Sequence, residues 1–217
     1  MRVTCISDTH LIIKDPADRA RLTALLPGGE ILVHAGDVSA RGTVPEIKSF
    51  LEWFSGLNYR HKIFIAGNHD HLFERDPIMA KSLVSEYSDV TYLNESGAEI
   101  EGIRFWGSPI TPYFCNWAFN RFPDQIARHW ERVPEEVDFL ITHGPPLGIL
   151  DELEDGERAG CPALLNKVMK VKPKVHLFGH IHCARGIDRV DNTIFVNAAV
   201  LDDSYKLLNV SPFEIEF

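Results

Sequence analysis

One pattern constrains this chain more than any other. A short apolar or β-branched run, a polar cluster at its end and a helix-forming segment recur in that order. Arg2–Ser7 runs into Asp8-Thr9-His10, Ile31-Leu32-Val33 into His34-Ala35-Gly36-Asp37, and Ile63-Phe64-Ile65 into Gly67-Asn68-His69-Asp70. The spacing predicts a helix over 17–26, with Leu22, Leu25 and Leu26 facing inward and Pro27-Gly28-Gly29 stopping it. A second helix is predicted over 43–56. Ile47, Phe50, Leu51 and Phe54 recur there at i, i+3, i+4 and i+7, and Pro45 is tolerated in the first turn. A third is predicted over 77–87. Strand, loop and helix alternating in this way imply an α/β fold with a mostly parallel sheet.

Beyond residue 90 the texture changes. Val90–Leu93, Ala98–Ile100 and Ile103–Trp106 read as hairpin strands, which makes the sheet mixed. Residues 105–122 are dense in aromatics, and a short helix is predicted over 123–132. Val137–Ile141 is a strand ending in Thr142-His143-Gly144-Pro145-Pro146. An acidic loop (151–160) and a helix (162–171) lead to the strand Val175–Phe178, which ends in Gly179-His180-Ile181-His182. The tail reads as strands at 187–190, 193–197, 206–210 and 213–217. With no repeat, low-complexity tract or linker, residues 1–217 are expected to form a single domain.

Composition narrows the function classes. The net charge is −9 and no Lys/Arg block occurs, which argues against tracking of polymeric nucleic acid unless bound divalent metals reverse the local sign. The four cysteines form no CxxC pair, so free and mostly buried thiols in a reduced, cytoplasmic protein are expected. The run before Asp8 is too short for a signal-peptide core, and no apolar run reaches the ~20 residues of a membrane span. The edges of the late strands leave monomer or homodimer open.

The chemistry lies at five predicted strand ends, which carry Asp8, His10, Asp37, Asn68, His143, His180 and His182. Singly, each has an ordinary explanation: a satisfied buried histidine, a helix-capping aspartate, a polar Gly-Asn turn. Together, in a sheet whose ligands gather beyond the carboxyl ends of the strands, they describe a polar cluster. Residues two apart on an extended segment point the same way, so Asp-x-His and His-x-His can each face one cluster. The donors are too many for one four-coordinate ion. They suit two ions, Mn, Fe or Zn, bridged by a carboxylate. Two metals about 3.5–4 Å apart clamp the attacking and leaving oxygens of a phosphoryl displacement and lower the pKa of bound water to near 7. His69 can move a proton near neutral pH and Asp70 can hold its ring. His34 reads as a packing residue or a support for the cluster, His71 as an extension of the turn, and His61, His129 and His176 as structural or exposed. Cys183 is expected to point away. The aromatics of 105–122 read as core more readily than as a stacking surface.

Asp8-Thr9-His10, Gly36-Asp37, Gly67-Asn68-His69-Asp70, His143-Gly144-Pro145-Pro146 and Gly179-His180-Ile181-His182, in this order, resemble the calcineurin-like metallophosphoesterase superfamily. Thr111-Pro112-Tyr113-Phe114, Trp117-Ala118-Phe119-Asn120 and Phe178-Gly179-His180-Ile181-His182 are similar to its metallophosphoesterase-domain-containing branch, related to class III cyclic-nucleotide phosphodiesterases. Some animal members of that branch carry Gly where this chain has His180, so an undamaged second metal site is expected. The resemblance implies a four-layer α/β/β/α sandwich. It implies one metal on Asp8, His10, Asp37 and His182, and another on Asp37, Asn68, His143 and His180. Asn68 and His69 would contact substrate, with His69 beside the leaving-group oxygen and Asp70 orienting it. The implied activity is hydrolysis of small phosphodiesters, cyclic nucleotides among them, by in-line attack of a metal-bridging hydroxide. The alternatives are a phosphomonoesterase or phosphoprotein phosphatase on the same site, or a catalytically silent metal-binding scaffold. Monoesterases bring extra arginines to the phosphate, and neither Arg41, Arg104 nor Arg185 is clearly placed for that.

Overall fold

The computed structural model describes residues 1–10 and 15–217. The chain opens with β1 (Arg2–Ile6) and α1 (Pro16–Leu25). The Asp15 carboxylate caps α1 by accepting from the backbone N–H groups of Ala17 and Asp18. β2 (Gly29–His34) leads to α2 (Val44–Ser55), which begins in a capping box between Thr43 and Glu46 and buries Ile47, Phe50, Leu51 and Phe54 completely. β3 (Tyr59–Phe64), α3 (His71–Arg75), α4 (Pro77–Val84) and β4 (Val90–Tyr92) follow. Next come β5 (Ser96–Ile100), β6 (Ile103–Ser108), the two-residue strands β7 (Thr111–Pro112) and β8 (Asn120–Arg121), α5 (Pro123–Glu131) and β9 (Phe139–Thr142). The chain closes with α6 (Pro162–Val171), β10 (Val175–Phe178), β11 (Gly186–Val190), β12 (Thr193–Asn197) and β13 (Phe213–Glu216).

Two mixed, mostly parallel sheets result. The first has the order β13-β1-β2-β3-β4 and is parallel except for β13. The second has the order β11-β12-β10-β9-β6-β5, with antiparallel edges β11 and β5. Strand alternation sends each sheet's side chains to two different cores. Val3, Cys5, Val33, Ile63 and Ile65 of the first sheet pack against Phe105, Phe139, Ile141, Leu177 and Val196 of the second, so the two sheets lie face to face. The intervening residues Leu32 and Phe64, and likewise Leu140, Phe178 and Phe195, point outward into a core shared with the helices. The rings of Phe50 and Phe54 on α2 lie 5.3 and 6.1 Å from that of Phe64. The outcome is the four-layer α/β/β/α sandwich. The parallel strands of both sheets end at one rim, where Ser7 bridges Ala199 across the two sheets.

Two expectations need correction. Val90–Leu93 is no hairpin strand: β4 lies parallel beside β3 as the edge of the first sheet. Residues 206–210 form no strand. The Asp202 carboxylate accepts from the N–H groups of Ser204 and Lys206, tying the segment into a turn that leaves only an isolated Leu201–Leu207 bridge. The helix expected over 77–87 is present as α4, and a separate short helix, α3, precedes it directly after Asp70. All four cysteines are free, but only Cys5 and Cys161 are buried. Among the described residues no helix is long and apolar enough to cross a membrane.

Candidate active site

Every ligand-type residue named from the sequence arrives at this rim, although not by the route expected. Asp8, His10, Asp37 and His180 do not lie on extended backbone. Their φ angles are 60°, 35°, 54° and 70°, in the left-handed region that non-glycine residues rarely adopt. Each strand stops and the chain turns sharply, so the convergence comes from strained turns rather than from strand alternation. Close backbone approach reinforces it. A Cβ at Gly179 would strike the Asp8 carboxylate and the Ser7 hydroxyl, and one at Gly67 would strike Asp37. The two glycines therefore let the carboxylates sit against neighbouring main chain.

The side chains form two adjoining clusters. In the first, the Asp8 carboxylate lies 3.8 Å from His10 Nε2 and 3.5 Å from His182 Nε2, and accepts from the His180 N–H. In the second, Asp37 Oδ2 lies 3.2 Å from His143 Nε2, while His143 Nε2 meets Asn68 Oδ1 at 2.8 Å. Asp37 Oδ2 is also 3.5 Å from His10 Nε2, so this carboxylate stands between the clusters. Asp8, His10 and His182 place ligand atoms within 4.8 Å of one another, as do Asp37, His143 and His180. His10, Asp37 and His69 meet the same distance, which sets His69 at the edge of the metal-binding region. Backbone carbonyls aim two of the rings: His143 Nδ1 donates to Ala35 and His182 Nδ1 to Asp202, leaving Nε2 of each facing the carboxylates.

The electrostatics suit cations. Burial lowers His10 and His180 to about 4, keeping them neutral and fit to donate a lone pair. Both ring nitrogens of His10 are buried with no hydrogen-bond partner among the described residues. Burial also opposes charge on His143 and His182, yet the Asp37 carboxylate carries His143 up to about 9, and Asp8 does the same for His182. Asp8 and Asp37 resist desolvation and lie well below the usual carboxylate range because of the histidines facing them. Two interior carboxylates, an amide oxygen and, in His10, a buried imidazole without partners fit a metal pair and suit no apolar or neutral ligand.

Asp70 has a role different from the one expected. Its buried carboxylate accepts from the backbone N–H groups of Val38, Ser39 and Gly67 and from the Ser39 hydroxyl, not from His69. Asp70 thus clamps the loop after β2 to the loop after β3, and burial together with the Asp37 charge pushes it up to about 7. The His69 ring is instead held at Nδ1 by the Ala40 carbonyl, 2.9 Å away, while its backbone N–H donates to Asp37 Oδ1. His34 sits behind the cluster: Gly36 N–H donates to its Nδ1, and its Nε2 reaches Thr9 Oγ1. His176 braces the turn after β9 through Thr142. His61 and His129 pair with Glu101 and Glu95 away from the site. Cys183 is exposed, with its thiol on the Glu152 carbonyl.

The clusters floor a cavity of about 450 Å3. The aromatic stretch divides around it. Phe105, Trp106 and Phe119 are core, whereas Tyr113, Phe114 and Trp117 line the cavity. The Trp117 ring lies over His69 at 4.2 Å. Tyr205, from the far end of the chain, also lines the cavity, edge-on to His10 at 5.0 Å. Sequence reasoning misses Tyr205, because it assigns the neighbouring segment to a strand. The available signal is the Asp202-Asp203-Ser204 run, which favours a turn.

Residues 1–184 match the calcineurin-like phosphoesterase family. Metallophosphoesterase domain-containing protein 1 of Homo sapiens is 38% identical, with 96% of this chain and 68% of that protein covered, and the Mus musculus protein matches equally. A UPF0046 protein of Caenorhabditis elegans is 36% identical over 92% of this chain and 69% of its own length. Among solved structures, phosphopantetheinyl hydrolase from Mycobacterium tuberculosis matches with a TM-score of 0.62 at 17% identity, covering 94% of this chain and 90% of that one. TT1561 of Thermus thermophilus has a TM-score of 0.62 at 13% identity, covering 90% and 88%. At such identities the structural likeness is one of fold.

Proposed function

Because the chain belongs to the calcineurin-like phosphoesterase family, and is thereby a metal-dependent phosphoester hydrolase, we propose that its substrates are small phosphodiesters. One observation carries the choice of diester. Among the described residues, no Lys or Arg side chain lines the cavity, whose walls above the Asp/His floor are mostly apolar. A monoester dianion needs further cations around its terminal oxygens, whereas a diester carries a single negative charge. The overall charge of −9 supports a small substrate over a nucleic-acid polymer.

In this reading Asp8, His10, His182 and Asp37 would hold one ion, and Asp37, Asn68, His143 and His180 the other. When bound, such a pair supplies an activated water at neutral pH and neutralises charge on the phosphoryl oxygens. The protein's own part is positional and proton-handling. Ala40 and Asp202 carbonyls fix the ring orientations of His69 and His182. Since Nδ1 of His69 faces a carbonyl, it carries a proton, and Nε2 is the nitrogen free to hold or move one at the leaving-group oxygen. Trp117 over the His69 ring shields that transfer from bulk water. The Asn68 amide group, on the cavity floor beside His69, would contact the same phosphoryl group.

The test is hydrolysis of bis(p-nitrophenyl) phosphate beside p-nitrophenyl phosphate after chelation and return of Mn2+, with wild type and His69→Ala. Metal-dependent turnover of the diester above the monoester, reduced by His69→Ala, is expected. Monoester preference would turn the reading to a phosphatase. Loss of neither reaction on chelation, or no turnover of either ester with metal bound, would overturn the hydrolase.

A further inference from the structure

The polar floor explains how a phosphoryl group is held, but not the wall. Tyr113, Phe114 and Tyr205 are 49%, 64% and 45% exposed, an unusual share of aromatic surface around one cavity. They come from two segments far apart in sequence, which argues against a single loop that failed to pack. They are also held. Asn120 bonds the Phe114 carbonyl and the Thr111 hydroxyl. Glu74 on α3 accepts from the Phe119 N–H and the Arg121 guanidinium. The Ala118 N–H donates to the Asn68 carbonyl, tying the loop to the floor itself. Tyr113 is further stiffened by stacking on Phe122 at 4.3 Å. On the same cavity lining, Tyr205 sits at a φ of 59° on the turn made by Asp202, whose carbonyl also orients His182. Both halves of the wall are therefore anchored to the same backbone that positions Asn68 and His182 on the floor.

Building on the phosphodiester reading, we propose that this wall is a slot for a flat π ring joined to the phosphoryl group through an ester oxygen. The enzyme thus selects aryl-type esters over aliphatic ones of equal size and charge. Rigid aromatic faces of this kind gain from stacking on a planar ring, and gain less from a puckered saturated ring of the same bulk. The backbone anchors mean that the slot exists before substrate arrives, so little ordering cost is deducted on binding.

The test is calorimetric binding to the Mn2+-loaded protein, with inorganic phosphate, phenylphosphonate and cyclohexylphosphonate as probes. The last two each have one ring and one phosphonate and differ chiefly in planarity. Phenylphosphonate is expected to bind about tenfold tighter than cyclohexylphosphonate, and the ratio to fall below about threefold in Phe114→Leu and in Tyr113→Leu. Both substitutions fall on exposed side chains outside the core, and the wild-type ratio tests the slot without them. A ratio near one in wild type, or a tenfold ratio unchanged in both variants, overturns the slot while leaving the phosphoester site intact. Absence of phosphate binding overturns the reading of the metal floor, and the slot with it.

Discussion

The floor and the wall of the cavity are made in opposite ways. The floor is built from residues immediately beyond β1, β2, β3, β9 and β10, held there by buried strands and by strained turns at Asp8, His10, Asp37 and His180. The wall hangs from loops, at 113–117 and 202–206, fastened by side-chain and backbone hydrogen bonds. Rigid strand ends suit chemistry that depends on sub-ångström placement, and loops suit the part of a site that sets preference. Damage to the floor should therefore abolish the reaction, while damage to the wall should change what is accepted.

Short of losing the metals themselves, the largest expected effect separates chemistry from metal binding within the floor. His69→Ala should lower kcat by about 10²–10⁴-fold with metal content retained, measured by steady-state kinetics beside elemental analysis. Equal loss of metal and activity would place His69 among the ligands. Asp70→Ala comes next. It leaves three backbone N–H groups and a hydroxyl without their buried acceptor, at about 1–3 kcal/mol for each unsatisfied group. Thermal denaturation should show a large fall in Tm, whereas a carboxylate that merely oriented His69 would lower kcat at unchanged Tm.

The wall should give a smaller and different signature. Glu74→Gln weakens the tie between α3 and the aromatic loop by about 1 kcal/mol, expected as a rise of about fivefold in KM for an aryl diester with kcat little changed. A fall in kcat at constant KM would make the wall part of the chemistry. The last effect concerns support behind the floor and is read against pH rather than in activity. His176 is buried, and burial lowers it to about 3 from an ordinary value near 6.5. Its unfolded form binds a proton that the folded form refuses, so stability is full above pH 6.5 and falls as pH drops toward 3. The slope from this one group is about 1.4 kcal/mol per pH unit. Denaturant titrations at about pH 7, 6, 5 and 4 should show that slope reduced in His176→Asn. An unchanged slope would assign the acid sensitivity elsewhere.

The same contrast explains how much is legible in the sequence alone. The apolar periodicity of Ile47, Phe50, Leu51 and Phe54 specifies α2, because a helix buries one face and the pattern records it. The floor residues are legible because their chemistry is uncommon at strand ends and occurs at five of them. Their backbone is not: nothing in Asp-x-His announces a φ of 60° at Asp8, and alternation along a strand reaches the same residues by a different geometry. Asp70 misleads because a carboxylate next to His69 in sequence is its obvious partner, whereas the turn points it at Val38 and Ser39. β4 reads as a hairpin strand because its pairing with β3 across α3 and α4 is a tertiary fact with no local mark. Tyr113, Phe114 and Tyr205 are obscure for a related reason, since an aromatic in a loop looks the same whether it fills a core or faces a cavity.

Asp37, between the two clusters, is the residue that would join two metal sites into one. Calorimetric titration of Mn2+ into metal-free wild type and Asp37→Ala tests this most directly. Two equivalents for wild type and a loss of both in Asp37→Ala, with diester hydrolysis falling to background, is the predicted result. An Asp37→Ala protein that still binds two ions per chain would contradict it.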